Sequence, residues 1–232
     1  MDRTFSLSPV VLRAKDHLRQ ATKQPLLLLL LAVDALLIAL HVAIALWNWD
    51  ERWPIMDWLR IDRDRAVSEW FEYGKLALAA ALLIKPAVHG ARLFRPIAAC
   101  LILLLLDNAL SGHEALGTLL APDMSAAGQV FVFAGAGLLL LAWTAANFRH
   151  SPADHQSLAL AFWAGVALLA VFGVAADFVH EVFTRPYDGW DGLLSLAEDG
   201  GELTTLSLLT TLAWQSSSNV GTADQGQPPR WH

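Results

Sequence analysis

The chain has little of what ordinary soluble or secreted domains rely on. Charged residues make up only 16% of its 232 residues, and the single cysteine, Cys100, excludes an intrachain disulfide. A formal net charge of −6 and the lack of a basic stripe with interleaved aromatic residues argue against nucleic acid as a partner. The sequence also has no nucleophile-elbow, Walker or dinucleotide-binding fingerprint. No familiar soluble-enzyme motif therefore assigns a reaction.

Long apolar runs are what the chain does contain. Hydrophobic residues make up 55% of it, and the mean hydropathy is +0.43. The runs are long enough to cross a bilayer as helices, so we expect an all-α, polytopic membrane protein with one domain of six transmembrane helices at residues 25–215. The predicted spans are approximately 26–47, a second that begins near 64–69 and ends at about 89, and then 97–120, 129–148, 158–183 and 193–214.

Two segments flank this domain. In residues 1–24, Val11, Ala14, Leu18 and Ala21 recur at helical spacing among basic residues, which predicts a cytoplasmic amphipathic helix on the membrane surface. Residues 216–232 are rich in Ser, Gly, Gln and Pro and are predicted to be a disordered tail. A cleaved signal peptide is the alternative for the first span. That span is longer than the roughly 7–15 apolar residues of a signal core and contains an aspartate, so we expect no cleavage.

Charge asymmetry gives the expected orientation. Lysine and arginine are concentrated in segments on the same side as both termini, such as residues 13–23 and 85–95. The positive-inside rule then places both termini in the cytoplasm of a bacterial inner membrane. Tryptophans at 47–58 and at Trp70 and Trp190 mark the outer interface.

Ionisable residues inside these spans are the main functional signal. Asp177, His180 and Glu181 are spaced i, i+3 and i+4, so they share one face of the fifth helix. An unpaired charge at membrane depth costs at least about 2.5 kcal/mol, so such residues default to a functional interpretation. Further acids and one histidine are expected at similar depth in the outer half of the other helices: Glu72, Asp107, His113, Glu114, Glu198 and Glu202.

Crowded carboxylates must be protonated, paired with cations or bridged by metal. Histidine with several carboxylates on facing helices suits zinc, iron or manganese. The acid-x-x-His element Asp177-x-x-His180 is of the kind that dimetal helix bundles use, although only one is clear here. We therefore predict a divalent metal site in which Glu198 and Glu202 serve as catalytic carboxylates. The predicted ligands are Glu72, Asp107, His113, Glu114, Asp177, His180 and Glu181.

Three short elements also carry a resemblance: His113-Glu114, Asp177-Phe-Val-His180-Glu181 and Glu198-Asp-Gly-Gly-Glu202. Together they resemble a group of small bacterial multi-pass membrane proteins. The resemblance implies a six-helix bundle and no particular activity. Ceramidase-type membrane hydrolases also hold zinc with His and Asp among helices, but this chain lacks a His-x-x-x-His pair.

Several functions remain open at this point. The site could belong to a metalloenzyme, hydrolase or oxidoreductase, acting on a membrane lipid or another amphiphile. It could instead be a cation or proton pathway through Asp34, Asp107 and Glu202, or a structural polar network in a subunit that assembles with a membrane protein or a second copy. A haem held by His41, His113 or His180 ranks last. Asp34 and His41 share a face of the first span, and we interpret them as isolated packing or hydrogen-bonding residues.

Overall fold

A computed structural model describes residues 7–47, 53–63, 65–110, 116, 119, 125–176 and 189–223. Within these residues the secondary structure is entirely helical, which confirms the all-α prediction. The helices are α1 (Leu7–Ala21), α2 (Pro25–Trp47), α3 (Val67–Val88), α4 (Phe94–Leu110), α5 (Ser125–Phe148), α6 (Ala153–Ala170) and α7 (Gly189–Ala223). A short 3-10 helix (Pro54–Leu59) follows α2, and a π-helical turn (Val171–Ala176) continues α6.

Three helices are long and apolar enough to cross a membrane: Pro25–Trp47, Phe131–Phe148 and Ala153–Gly173. The ends of α2, α3 and α5 lie within a few residues of those that the sequence predicts. Helix α6 starts five residues before the predicted fifth span. Helix α7 runs to Ala223, into the segment assigned to the tail. Polar residues that were taken for connections thus continue the helices, because their backbone groups still pair within the helix.

Helix α7 is the central element of the bundle. It contacts α1, α2, α3, α6 and the π-helical turn, whereas α5 packs mainly on α4. The principal core lies where α3, α4, α6 and α7 meet, around Leu83, Phe94, Phe162 and Leu209. The outward faces of α2 and α5 are apolar, with Leu28, Leu29, Leu138 and Leu139 all more than 60% exposed. Such surfaces suit contact with lipid.

Helix α1 docks against the end of the bundle where α6 begins. Val10, Ala14 and Ala21 are buried, and α1 contacts α6 and α7. Arg13 donates a 2.7 Å hydrogen bond to Asp154, and His17 Nε2 lies 3.1 Å from the Ser157 hydroxyl. Of the apolar face that was predicted to lie on the membrane surface, Ala14 and Ala21 are thus buried against protein, whereas Val11 is 42% exposed.

Candidate functional site

A buried ion pair joins α2 and α3 in the middle of the bundle. Lys75 Nζ lies 2.9 Å from Asp34 Oδ1, and the two side chains are 2% and 0% exposed. Asp34 is therefore a hydrogen-bonding residue, one of the two roles that the sequence suggested, but it is not isolated. The two opposite charges compensate each other. Either charge alone in this apolar environment would be costly to bury.

Helix α7 completes this polar cluster. Ser207 donates a 2.6 Å hydrogen bond to Asp34 Oδ2, so both carboxylate oxygens have partners. Lys75 Nζ also donates to the Leu203 carbonyl at 2.7 Å and lies 3.3 Å from the Ser207 hydroxyl. The ammonium sits 4.5 Å from the centre of the Phe71 ring, within cation–π range. The three donor directions of the ammonium are thus used, and the cluster ties three helices together.

Glu72 lies one turn before Lys75 on α3, within electrostatic range of acids on α7. Its side chain is buried, and it interacts electrostatically with Glu202, Lys75, Asp199 and Glu69. Glu202 is partly buried, and Asp199 accepts a 3.3 Å hydrogen bond from Ser195. Because Glu72 and Glu202 carry charge of the same sign, a cation near both would offset their repulsion.

Glycines let α7 come close to the π-helical turn. A Cβ atom at Gly173 would overlap Glu202 Oε1, and one at Gly201 would overlap the Phe172 ring. Gly173 therefore leaves the space that the Glu202 carboxylate occupies. This contact places Glu202 between α3 and the segment that leads into Asp177, four residues after Gly173.

Further polar contacts mark the start of α3. The Tyr73 hydroxyl contacts the Glu69 carboxylate and lies 3.0 Å from the Asn108 carbonyl of α4. Glu69 also accepts a hydrogen bond from the backbone N–H of Arg65. The Asn108 contact brings this end of α4, including the partly buried Asp107, to the level of Glu69 and Tyr73.

His41, near the end of α2, contacts the loop that follows this helix. His41 Nδ1 accepts a 3.4 Å hydrogen bond from the Ile61 N–H and lies 3.5 Å from Asp62 Oδ1. Arg60 binds Asp62 through Nε at 2.9 Å and a terminal nitrogen at 2.5 Å. Burial alone would raise the pKa of Asp62, but these hydrogen bonds and the Arg60 charge outweigh it and hold that pKa below its ordinary value. His41 therefore fastens the loop after α2 to the bundle.

Four of the predicted site residues lie on described helices that pack together. Glu72 is on α3, Asp107 is on α4, and Glu198 and Glu202 lie one turn apart on α7; Glu72 is within electrostatic range of Glu202. Within the described residues, however, no group of three or more His, Cys, Asp or Glu is arranged to hold a metal ion. The remaining predicted ligands, His113, Glu114, Asp177, His180 and Glu181, lie outside the described residues.

Sequence reasoning missed the Lys75–Asp34–Ser207 cluster. A signal for it was present, because Lys75 is the one lysine well inside a predicted span and Asp34 is the one acid of the first span. Charged residues inside membrane helices usually pair with one another, so a lysine on one helix and an aspartate on another predict an ion pair. The serine gives no such signal, since hydroxyls are common in apolar helices.

The comparisons with known proteins bear on the whole bundle. No curated protein and no solved structure matches the chain. A family model described as a domain of unknown function (DUF8692) matches residues 27–216. The matched region runs from the start of α2 to near the end of α7 and includes Asp34, Glu72, Lys75, Glu202 and Ser207. The chain therefore belongs to the DUF8692 family.

Proposed function

We propose that this protein is a multi-pass membrane protein whose acidic centre, Glu72 and Glu202, binds a divalent transition metal. The observation that supports this most directly is the buried carboxylate of Glu72 on α3, which lies within electrostatic range of Glu202 on the packed helix α7. Two carboxylates from facing helices supply negative charge where water is scarce. A divalent cation between them offsets both charges at once.

Lys75 lies close to this centre, but its ammonium is already hydrogen-bonded to Asp34, Leu203 and Ser207. The ammonium of Lys75 thus contacts Asp34 directly, whereas it interacts with Glu72 only electrostatically. In the proposed site, a metal cation adds to the positive charge that Lys75 supplies.

Two ligands complete the site in this proposal. Asp177 and His180 follow Gly173, the glycine that makes room for Glu202, by four and seven residues. If the helix continues, Asp177 comes one turn after Gly173 on roughly the same face. A neutral imidazole together with carboxylates suits zinc, iron or manganese. Glu181, His113, Glu114 and Asp107 are the remaining candidates.

The proposed topology has six spans with both termini in the cytoplasm of the inner membrane. Three helices already meet the length and hydropathy of a span. Helices α3, α4 and α7 pack beside them in one bundle and complete the six. Glu72 lies in the second turn of α3, so this topology puts the acidic centre in the outer half.

A metal in this position would act as a Lewis acid or activate a bound water. Glu198, one turn from the metal-binding Glu202, would then serve as the general base that deprotonates this water for attack on an amphiphile that enters from the lipid. A specific observation also favours a second function, a proton pathway. Asp34 and His41 are both buried on one face of α2, and His41 reaches Asp62 in the loop. The two functions differ in whether a metal is required.

Elemental analysis of the full-length protein, purified in detergent, tests the proposal. We expect zinc, iron or manganese bound to the wild type, and metal affinity reduced by at least about tenfold in Glu72→Gln and in Glu202→Gln, as for other disrupted metal sites. His180→Ala should lose the metal as well. Asp16→Asn removes an exposed acid of α1 and serves as the control. Wild-type protein that binds none of these metals after dialysis against each would contradict the proposal.

A further inference from the structure

The loop between α2 and α3 forms a cavity of about 390 Å³ at the end of the bundle where α3 begins. Its lining consists of Asp57, Trp58, Arg63, Arg65, Ala66 and Trp70. This volume falls within the roughly 300–1,000 Å³ of small-ligand sites. The cavity is separate from the acidic centre and uses none of its residues.

The chemistry of the lining has two parts. Arg63 and Arg65 supply guanidinium groups, which suit a phosphate oxygen. Trp58 and Trp70 supply aromatic faces, and Asp57 supplies a carboxylate; both kinds of group attract an ammonium. The Asp57 carboxylate is paired with Arg63, so an anion meets the charge of Arg65, which is unpaired among the described residues, but leaves the tryptophan faces unused. A cation alone would be repelled by the arginines. A ligand that carries both charges satisfies the whole lining.

Arg63 is held by Asp57 at 3.1 Å. Arg65 differs from it: no hydrogen bond or ion pair of its guanidinium occurs among the described residues, and its backbone N–H is bound by Glu69. Its φ angle of 60° is a conformation that side-chain-bearing residues adopt at a cost. The Glu69 carboxylate compensates for part of that cost. Arg65 therefore lines the cavity at a backbone position where glycine would be less strained.

The position of the cavity indicates the source of the ligand. Trp58 and Trp70 are 68% and 64% exposed, and they flank the cavity where α3 begins. Exposed tryptophans at the ends of membrane helices lie at the level of lipid headgroups. A headgroup that is anchored there by its own acyl chains meets the cavity without diffusing from solution.

We propose that this cavity binds the zwitterionic headgroup of a phospholipid. The phosphodiester lies against Arg65, with Arg63 beside it, and the ammonium lies among Trp58, Trp70 and Asp57. This inference goes beyond the metal centre, because headgroup binding requires no metal and no member of the acidic pair.

Native mass spectrometry of the full-length protein in detergent tests this site, with phosphatidylethanolamine, phosphatidylglycerol and free phosphoethanolamine as probes. We expect phosphatidylethanolamine to bind several-fold more tightly than phosphatidylglycerol, which lacks the ammonium. Free phosphoethanolamine should bind far more weakly than the lipid. Equal binding of the two lipids would overturn the zwitterionic assignment, and equal binding of the lipid and the free headgroup would overturn the lipid source.

Substitutions locate the binding. Arg65→Gly removes the guanidinium and relieves the backbone, so it should lower lipid affinity by about tenfold while the melting temperature stays the same or rises. Trp58→Leu with Trp70→Leu should abolish the preference between the two lipids. Arg92→Gln, an exposed arginine in the loop between α3 and α4, is the matched control and should bind as the wild type does. Unchanged lipid binding in Arg65→Gly would overturn the proposal.

Discussion

The ammonium of Lys75 on α3 lies 2.9 Å from the carboxylate of Asp34 on α2, and neither group reaches the surface. Forty-one positions separate the two residues in the chain. Ser207 of α7 binds the same carboxylate, so three helices share one polar cluster. The relative rotation of these helices is thereby defined, because a turned helix would leave a charge in an apolar interior.

Removing one member of this pair should destabilise the protein strongly. We expect Lys75→Met or Asp34→Leu alone to lower the free energy of unfolding by about 3–5 kcal/mol, since the remaining charge is buried without its partner. The double variant should recover much of that loss. Equilibrium unfolding in detergent gives the four free energies of the cycle. Lys85→Met, at an exposed lysine in the last turn of α3, is the control. Additive losses in the double variant would mean that the two charges are not coupled.

The orientation of the bundle can be measured by cysteine labelling from outside the cell. Single cysteines introduced at residues 53–60 and at 189–191, in a Cys100→Ala background, should react with a membrane-impermeant reagent. The loop between α5 and α6, at residues 149–152, should be protected. Protection of residues 53–60 would invert the proposed topology and move the acidic centre to the cytoplasmic half.

Alanine substitutions at three glycines can separate effects on helix packing from effects on the position of the Glu202 carboxylate. Gly173→Ala should shift the flexible end of Glu202 and weaken metal binding with a modest loss of stability. Gly201→Ala should cost more stability, because a Phe172 ring cannot move aside as easily. At Gly74 an added methyl group meets nothing within 4 Å, so Gly74→Ala should stabilise α3 by about 0.5–1 kcal/mol. Melting temperatures and metal content of the three variants check these expectations. Full metal occupancy in Gly173→Ala would mean that Glu202 is not a ligand of the metal.

Docking of α1 should depend on pH through His17. Partial burial lowers the pKa of His17 below 6.5, and this effect exceeds the opposing influence of Asp154 and Asp16, while Arg13 adds to it. The docked helix thus favours neutral imidazole, and its stabilisation is complete above the unfolded pKa of 6.5 and is lost as the pH falls from there through the lower pKa of the docked state. Hydrogen exchange in α1, corrected for the intrinsic rate, should be faster at about pH 5.5 than at about pH 7.5. His17→Gln should remove this difference; if the difference persists in that variant, it arises from another group, such as His155.

The sequence alone predicted the helices well and their mutual arrangement poorly. The spans of α2, α3 and α5 follow from runs of apolar residues, which is local information. The pairing of Lys75 with Asp34 depends on how two helices are rotated about their axes, and a single sequence does not contain that angle. The same holds for Glu202, whose place is set by a glycine on another helix. That Asp177 and His180 join Glu72 and Glu202 stays a prediction.

The response of the melting temperature to metal tests the central proposal most directly. Purified wild-type protein should melt at a lower temperature after treatment with a chelator and recover when zinc, iron or manganese is added, because the cation binds only the folded site. The Glu72→Gln, Glu202→Gln double variant should not respond. It should melt at or above the temperature of the metal-free wild type, since the repulsion between the two acids is gone. A wild-type melting temperature that is unchanged by both chelation and metal addition would contradict the metal-binding centre.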